Sequence, residues 1–354
     1  MNTRDELKSA VLQLDQHPLH FERLALEVFN FQYETNPVYH AYVRNLNVKP
    51  LSVNRIEKIP FLPVEFFKTQ KVISGPTNPQ LVFESSGTTA RTTSRHYVSD
   101  LPFYELLSQK IFENFYGPLT DYHIFALLPS YLERNNSSLV YMVRNFIYRS
   151  FSQESGFFLN NPEDLLRSIQ ETSEKSGPKR KILLIGVTFA LLDLAENQHY
   201  ASLLRNHSED LIVMETGGMK GRRKELLREE VHEILTGAFG VEKIHSEYGM
   251  TELLSQGYSK GDGIFDLPAS MKILLREVND PFTYLPSFAL GDENQNVKYR
   301  GKSGGINVID LANIDSCSFI ETKDLGSFSE DYKQFRIMGR FDNSDLRGCN
   351  LMVN

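Results

Sequence analysis

Cysteine is scarce. The 354 residues include only Cys317 and Cys349, too few for a disulfide framework, so a reducing cytoplasm is the expected setting. An excess of positive charge is lacking too: 38 Lys and Arg face 45 Asp and Glu, a formal charge of −7. That balance argues against a nucleic-acid partner, whose surface needs a cationic footprint to release counterions. Small anions can still be bound locally. No long apolar run is present. The most apolar window, Ile182–Leu192, ends against Asp193 and is too short to span a bilayer, so it is expected in the core. The opening Met1-Asn-Thr-Arg-Asp-Glu6 has neither the apolar stretch nor the small-residue cleavage site of an export signal. Repeats and low-complexity tracts are absent. With 41% hydrophobic and 23% charged residues, the chain can bury one large core or two.

The stretch Val82-Phe-Glu-Ser-Ser-Gly-Thr-Thr-Ala-Arg-Thr-Thr-Ser-Arg-His-Tyr97 sets a hydroxyl-rich loop between two short strand-like runs. It contains no lysine, so it is not the nucleoside-triphosphatase loop, which ends in Gly-Lys-Ser/Thr. Successive backbone N–H groups at a glycine turn still make a concave anion site. Hydroxyls of Ser85, Ser86, Thr88 and Thr89 around Gly87 would add donors, and Arg91 and Arg95 would add charge. A solvated Ser/Thr loop has the same composition, so other segments must decide.

Along the chain, Thr3-Arg-Asp-Glu6 is a capping box before Leu7, Val11 and Leu14, which predicts an amphipathic helix and a helical N-terminal layer. The prolines of Ile59-Pro-Phe-Leu-Pro-Val-Glu-Phe-Phe-Lys68 exclude a long helix or a central strand and predict an extended connector. Strands are expected at Gln80–Glu84, His123–Leu128, Lys181–Val187, Leu211–Glu215 and Lys243–Glu247. Helices are expected at Tyr104–Phe115, from Asn161-Pro-Glu-Asp to Gln170, and at Lys224–Phe239. This alternation predicts an α/β fold. After Leu274, short apolar runs such as Gly305–Asp310 and Ser318–Thr322 predict a strand-rich closing subdomain. The expected division is a helical layer and connector over 1–75, an α/β core over 76–274 and the strand-rich part over 275–354.

Three further segments carry chemistry. In Glu215-Thr-Gly-Gly-Met-Lys-Gly-Arg222, Gly217 and Gly218 let backbone approach a flat ligand closely, and Lys220 and Arg222 could reach its anionic part. A plain strand-to-helix turn would look the same. In His245-Ser-Glu-Tyr-Gly-Met-Thr-Glu252, Tyr248 beside Gly249 offers a stacking face, Thr251 an oxygen, and Glu252 a hard ligand for magnesium. In Glu321-Thr-Lys-Asp-Leu-Gly326 and Met338-Gly-Arg-Phe-Asp342, Asp324 could accept both hydroxyls of a ribose and Arg340 could contact ribose or phosphate.

Their succession, Ser85-Ser-Gly-Thr-Thr, Tyr248-Gly-Met-Thr-Glu, Thr322-Lys-Asp-Leu, Gly339-Arg-Phe-Asp and Arg347-Gly-Cys-Asn-Leu, resembles the adenylate-forming superfamily of acyl-CoA synthetases, luciferases and peptide-synthetase adenylation domains. Ile59-Pro-Phe-Leu-Pro, Leu128-Pro-Ser-Tyr-Leu-Glu-Arg134 and Gly217-Gly-Met-Lys-Gly-Arg222 are similar to the acyl-protein synthetase branch, the long-chain-fatty-acid–luciferin-component ligases. The likeness covers about residues 55 to 350.

The resemblance implies the N-terminal domain of that superfamily, with layered α/β subdomains and a strand-rich closing subdomain. It also implies ATP and Mg2+ as cofactors and a small-molecule carboxylic acid as substrate. Ser85, Ser86, Gly87, Thr88 and Thr89 would hold the triphosphate. Gly217 and Gly218 would line the adenine site, Tyr248 would stack on the base, and Thr251 and Glu252 would serve phosphate and metal. Asp324 would bind the ribose with Arg340 nearby. Where the superfamily loop has Pro-Lys, this chain has Thr89-Ala-Arg-Thr-Thr, so Arg91 or Arg95 must replace the lysine. The usual small C-terminal domain with its catalytic lysine is expected to be lacking. Cys349 is the candidate acyl carrier that the family implies, and Cys317, in an apolar pattern, is expected in the core. The expected activity is ATP-dependent activation of an acid, fatty acyl by resemblance, and acyl transfer to an acceptor protein or carrier. The rivals are an ATP-independent acyltransferase and a catalytically silent nucleotide-binding subunit.

Overall fold

Thr3 caps the first helix, α1 (Arg4–Leu12), as its sequence predicts: its side chain accepts from the Glu6 N–H while the Glu6 carboxylate takes the Thr3 N–H. The computed structural model describes residues 3–85, 93–129, 135–174, 179–217, 226–285, 302–329 and 334–340. Leu7, Val11 and Leu14 from this region, with Leu24, Val28 and Phe29 from α2 (Phe21–Thr35) and Tyr39 and Val43 from α3 (Pro37–Asn45), bury the face of an N-terminal helical layer. A connector leads to β1 (Leu62–Pro63) and the single turn α4 (Phe66–Thr69). Pro63 is tolerated because β1 pairs on one side only, in parallel with a later strand at Leu62↔Ile320.

Next come a hairpin, β2 (Leu81–Glu84) and β3 (Arg95–Val98), paired from Leu81↔Val98 to Glu84↔Arg95, and then α5 (Leu101–Tyr116). The central elements alternate: β4 (Tyr122–Leu127), α6 (Ser138–Ser150), β5 (Gly156–Phe157), α7 (Pro162–Glu174), β6 (Lys181–Val187), α8 (Thr188–Glu196), α9 (Gln198–Arg205), β7 (Leu211–Thr216), α10 (Arg228–Phe239), β8 (His245–Tyr248) and β9 (Gly257–Ser259). They form a six-stranded sheet of order β5-β4-β6-β7-β8-β9, parallel except for β9. Strand β6 is apolar almost throughout because helices cover both faces of a parallel sheet. The apolar window at Ile182–Leu192 changes from strand to helix at Thr188.

The closing layer is antiparallel: β10 (Ile264–Phe265), β11 (Met271–Arg276), β12 (Ser303–Asp310), β13 (Phe319–Phe328) and β14 (Phe335–Arg340), in the order β10-β14-β13-β12-β11 with β1 against β13. The α/β architecture with a strand-rich closing part is therefore as the sequence predicts. Among the described residues no helix is long and apolar enough to cross a membrane.

The turn from β12 to β13 is gripped by the N-terminal layer. Gln32 donates to the carbonyls of Asn313 and Ile314 at 2.8 and 3.1 Å and accepts from Ser318 N at 2.9 Å. Asn36 donates to the Ser316 carbonyl at 2.9 Å. Lys8 meets Asp315 at 2.7 Å, and Arg4 lies on the same carboxylate. Each of these buried polar groups has a partner about 280 or more positions away.

Candidate functional site

Strands β7 and β8 end side by side, with Thr216 opposite Glu247. In open α/β sheets the crevice outside the carboxyl ends of the strands is where ligands bind. Strand β7 runs into Gly217 at φ +68°, a left-handed conformation that glycine adopts without cost. The Thr216 hydroxyl donates to Glu247 Oε2 at 2.6 Å. Burial pushes the Glu247 carboxyl up to about 7, with the Thr216 hydrogen bond opposing and the charge of Glu215 adding to the rise. A Cβ on Gly249 would press on Glu247 Oε1, so any larger residue there must displace that carboxylate.

Next to this edge, three residues from two sheets meet. The Tyr248 hydroxyl donates to Asp324 Oδ2 at 3.1 Å, and Arg340 Nε donates to Asp324 Oδ1 at 3.0 Å. Pairing of β13 with β14 sets Asp324 directly opposite Arg340. The Asp324 side chain is 6% exposed, whereas that of Arg340 is 72% exposed, so the buried carboxylate opens toward solvent along the arginine. The Tyr248 ring packs against Phe265 and Phe335 at 6.1 and 5.7 Å between centroids. Burial first, and the neighbouring Asp324 second, push its phenol well above the ordinary range.

Beyond Gly249 the chain turns through Thr251 and Glu252. Glu252 is buried, and burial raises its carboxyl, opposed by a hydrogen bond from Ser94 and by the charge of Arg340. Ser94 pairs with Ser85 at the mouth of the β2–β3 hairpin: Ser85 N donates to the Ser94 carbonyl at 3.1 Å, and Ser94 N donates to Ser85 Oγ at 3.0 Å. Arg95 is exposed at the same mouth, across from Glu84. Ser85, Arg95, Glu252, Arg340, Asp324 and Tyr248 thus lie along one path from the hairpin to the closing sheet.

Of the other residues read from the sequence, Ser86, Gly87, Thr88, Thr89, Arg91, Gly218, Lys220, Arg222 and Cys349 lie outside the described residues. Cys317 is fully buried, with its thiol pushed up to about 12 by burial. Ser94, His96, Asn313 and Glu247 were not singled out from the sequence. Only Ser94 and His96 carried a local signal, since with Val98 they alternate with outward residues on the buried side of β3 and the residue before it. Among the described residues no group of three or more His, Cys, Asp or Glu is arranged to hold a metal ion.

With this geometry in place, comparison with known proteins defines the class. The chain belongs to the acyl-protein synthetase family, whose profile (Acyl-protein synthetase, LuxE) matches residues 8–354. Solved structures similar to it include a mutant of the amide bond synthetase Mcba from Marinactinospora thermotolerans, at 16% identity over 75% of this chain and 50% of that one, TM-score 0.47. Another is the adenylation domain of a keto acid-selecting NRPS module bound to keto acyl adenylate, at 13% identity over 77% of this chain and 53% of that one, TM-score 0.49. The chain therefore spans about half the length of these solved structures. No curated protein matches its sequence.

Proposed function

We propose that the chain activates a carboxylic acid with ATP as an acyl-adenylate and passes the acyl group to an acceptor, with a fatty acid as substrate, a protein thiol as acceptor and the cytoplasm as setting. The observation that carries this reading is the buried carboxylate of Asp324, held by Tyr248 and Arg340 beside the carboxyl ends of β7 and β8. Two carboxylate oxygens suit the paired hydroxyls of a ribose. To receive them, Asp324 must share the oxygens now taken by Tyr248 and Arg340. The loop after Ser85, with Ser86, Gly87, Thr88 and Thr89, offers hydroxyl and backbone donors to a triphosphate, and Arg91 and Arg95 supply the charge that a lysine would otherwise bring. Gly217 and Gly218 would line the adenine site, Tyr248 would stack on the base, and Lys220 would serve the anionic part of the nucleotide.

In the first step a carboxylate oxygen attacks the α-phosphorus, the bond to the β-phosphate oxygen breaks, and pyrophosphate leaves with the electron pair. In the second, a thiolate attacks the acyl carbon and AMP departs. Side chains need only align the reactants and offset negative charge. Mg2+ fits the donor chemistry present: Glu252 is a hard oxygen ligand with Thr251 beside it, and magnesium commonly takes one or two carboxylates and completes its shell with phosphate and water. When bound, it would neutralise charge on the phosphates.

Exchange of labelled pyrophosphate into ATP, measured across a panel of carboxylic acids, tests the reading. Exchange that requires both an acid and Mg2+ is expected. No exchange with any acid would refute adenylation and favour an ATP-independent acyltransferase or a silent binding subunit. For the acceptor, Cys349→Ser should abolish hydroxylamine-sensitive labelling by a radiolabelled fatty acid and spare exchange, because adenylation precedes transfer. Label retained in that variant would exclude Cys349.

A further inference from the structure

Thr251 and Glu252 stand on a turn whose own backbone is held from two sides. From β3, His96 Nδ1 lies 2.9 Å from the Thr251 carbonyl oxygen. A carbonyl only accepts, so the imidazole carries its proton on Nδ1. The ring is 1% exposed and meets Phe67 edge-on, at 5.9 Å between centroids and 90°. Burial holds it neutral, bringing its pKa down to about 4. From the turn after β12, Asn313 Nδ2 donates to the Glu252 carbonyl at 2.7 Å. Two successive carbonyls are thus tied to two different sheets.

The Asn313 amide is also 1% exposed, and its Oδ1 has no hydrogen-bond partner among the described residues. Leaving a buried acceptor unpaired costs its desolvation with nothing in return. An apolar residue of the same shape would relieve that cost but leave the Glu252 carbonyl without its donor, so what Asn313 supplies to its surroundings is the bond to the turn.

Residues beyond the turn are fixed as well. Asp310 accepts from Leu254 N at 2.8 Å, from Ser255 N at 3.0 Å and from the Ser255 hydroxyl at 2.7 Å. On the opposite side, Ser94 and Arg95 immediately precede His96, and Ser94 N donates to Ser85 Oγ at 3.0 Å at the mouth of the hairpin. The imidazole is therefore a direct link between the hydroxyl-rich hairpin and the backbone of the Thr251–Glu252 turn.

We propose that His96 and Asn313 are positioning residues: they clamp the Thr251 and Glu252 carbonyls so that the hairpin, the turn and the closing sheet keep one relative placement. The catalytic consequence rests on the adenylation reading above. The clamp itself does not. His96→Ala removes the donor, whereas His96→Asn keeps an amide N–H close to the position of Nδ1. Asn313→Asp keeps the shape of the side chain but sets a carboxylate oxygen against the Glu252 carbonyl.

Two readouts test it. Hydrogen exchange of the peptide covering residues 249–256 should speed up in His96→Ala and in Asn313→Asp, with β6 and β7 unchanged, and should return toward the native rate in His96→Asn. In pyrophosphate exchange, kcat should fall about 100-fold in the first two variants, the loss expected when reacting groups are displaced by roughly 1 Å. KM for ATP should stay close to native, and His96→Asn should recover most of the rate. Unchanged hydrogen exchange at 249–256 in both disruptive variants would overturn the clamp, and so would a rate loss that His96→Asn fails to restore. If His96→Ala does not fold, Asn313→Asp carries the same comparison from the other sheet. A native chain without pyrophosphate exchange would refute adenylation, and the hydrogen-exchange comparison would still decide the clamp.

Discussion

Glu247→Gln should stabilise the protein at neutral pH and leave it unchanged in acid. The native carboxyl titrates at about 7 in the fold against an ordinary 4.5. Below 4.5 both folded and unfolded chains hold the proton. Between the two values the folded chain keeps it while the unfolded chain releases it, so stability declines as pH rises, and above about 7 the penalty is complete. The interval corresponds to about 3 kcal/mol, at roughly 1.36 kcal/mol per pH unit. Glutamine keeps an oxygen for the Thr216 hydroxyl and has no charge to desolvate, so the variant escapes this decline. For 354 residues, with an unfolding entropy of about 2.1 cal/mol/K per residue, 3 kcal/mol is about 4 °C in melting temperature. Calorimetric scans of both proteins at steps from pH 4 to 8 make the measurement. Coincident curves in acid that separate to about 4 °C by pH 8 are expected, and curves that stay parallel throughout would refute a Glu247 carboxyl held neutral by burial.

Glu252→Gln should lower adenylate formation by orders of magnitude with an unaltered far-UV spectrum, because it removes the proposed metal ligand and keeps the shape. A matching loss of folded protein would instead make this carboxylate structural. Asp324→Ala should abolish most of the melting-temperature rise produced by ATP with Mg2+, which mass action predicts for a ligand of the native state; a full rise in the variant would remove Asp324 from the nucleotide site. Gly249→Ala should displace the Glu247 carboxyl, on whose Oε1 the new Cβ would press, and an unchanged pH dependence of stability would contradict that contact. Asp315→Ala should cost about 3 kcal/mol, the scale for breaking a buried ion pair, since it takes an acceptor from both Arg4 and Lys8; denaturant titration reads the loss directly.

The regular elements were legible where local chemistry dictates them. The capping box at Thr3 and Glu6 set the start of α1, and Lys181–Val187 and Leu211–Thr216 matched apolar strand patterns. Where one apolar run changes structure midway, as at Thr188, periodicity cannot separate buried strand from buried helix. The helix expected over Lys224–Phe239 is described from Arg228, after Leu227 in extended backbone at ψ 150°. In the candidate site, Tyr248, Asp324 and Arg340 could be named from their motifs, and the fold brings them into contact. His96 and Asn313 could not, because their partners lie 155 and 61 residues away, and neither residue type announces such a bond.

The grip of the N-terminal layer on the turn between β12 and β13 has a consequence for synthesis. On the ribosome, Gln32 and Asn36 emerge long before the carbonyls they serve, 281 and 280 residues later. At about 5–20 residues per second, that interval is roughly 15 s to a minute. Throughout it, the Gln32 amide lacks its acceptors and its donor and the Asn36 amide lacks the Ser316 carbonyl, so the first helices cannot close into their final packing. A nascent chain released before residue 313 should therefore be captured by chaperones and cleaved by proteases within its first 45 residues, the part made earliest being among the last to become secure.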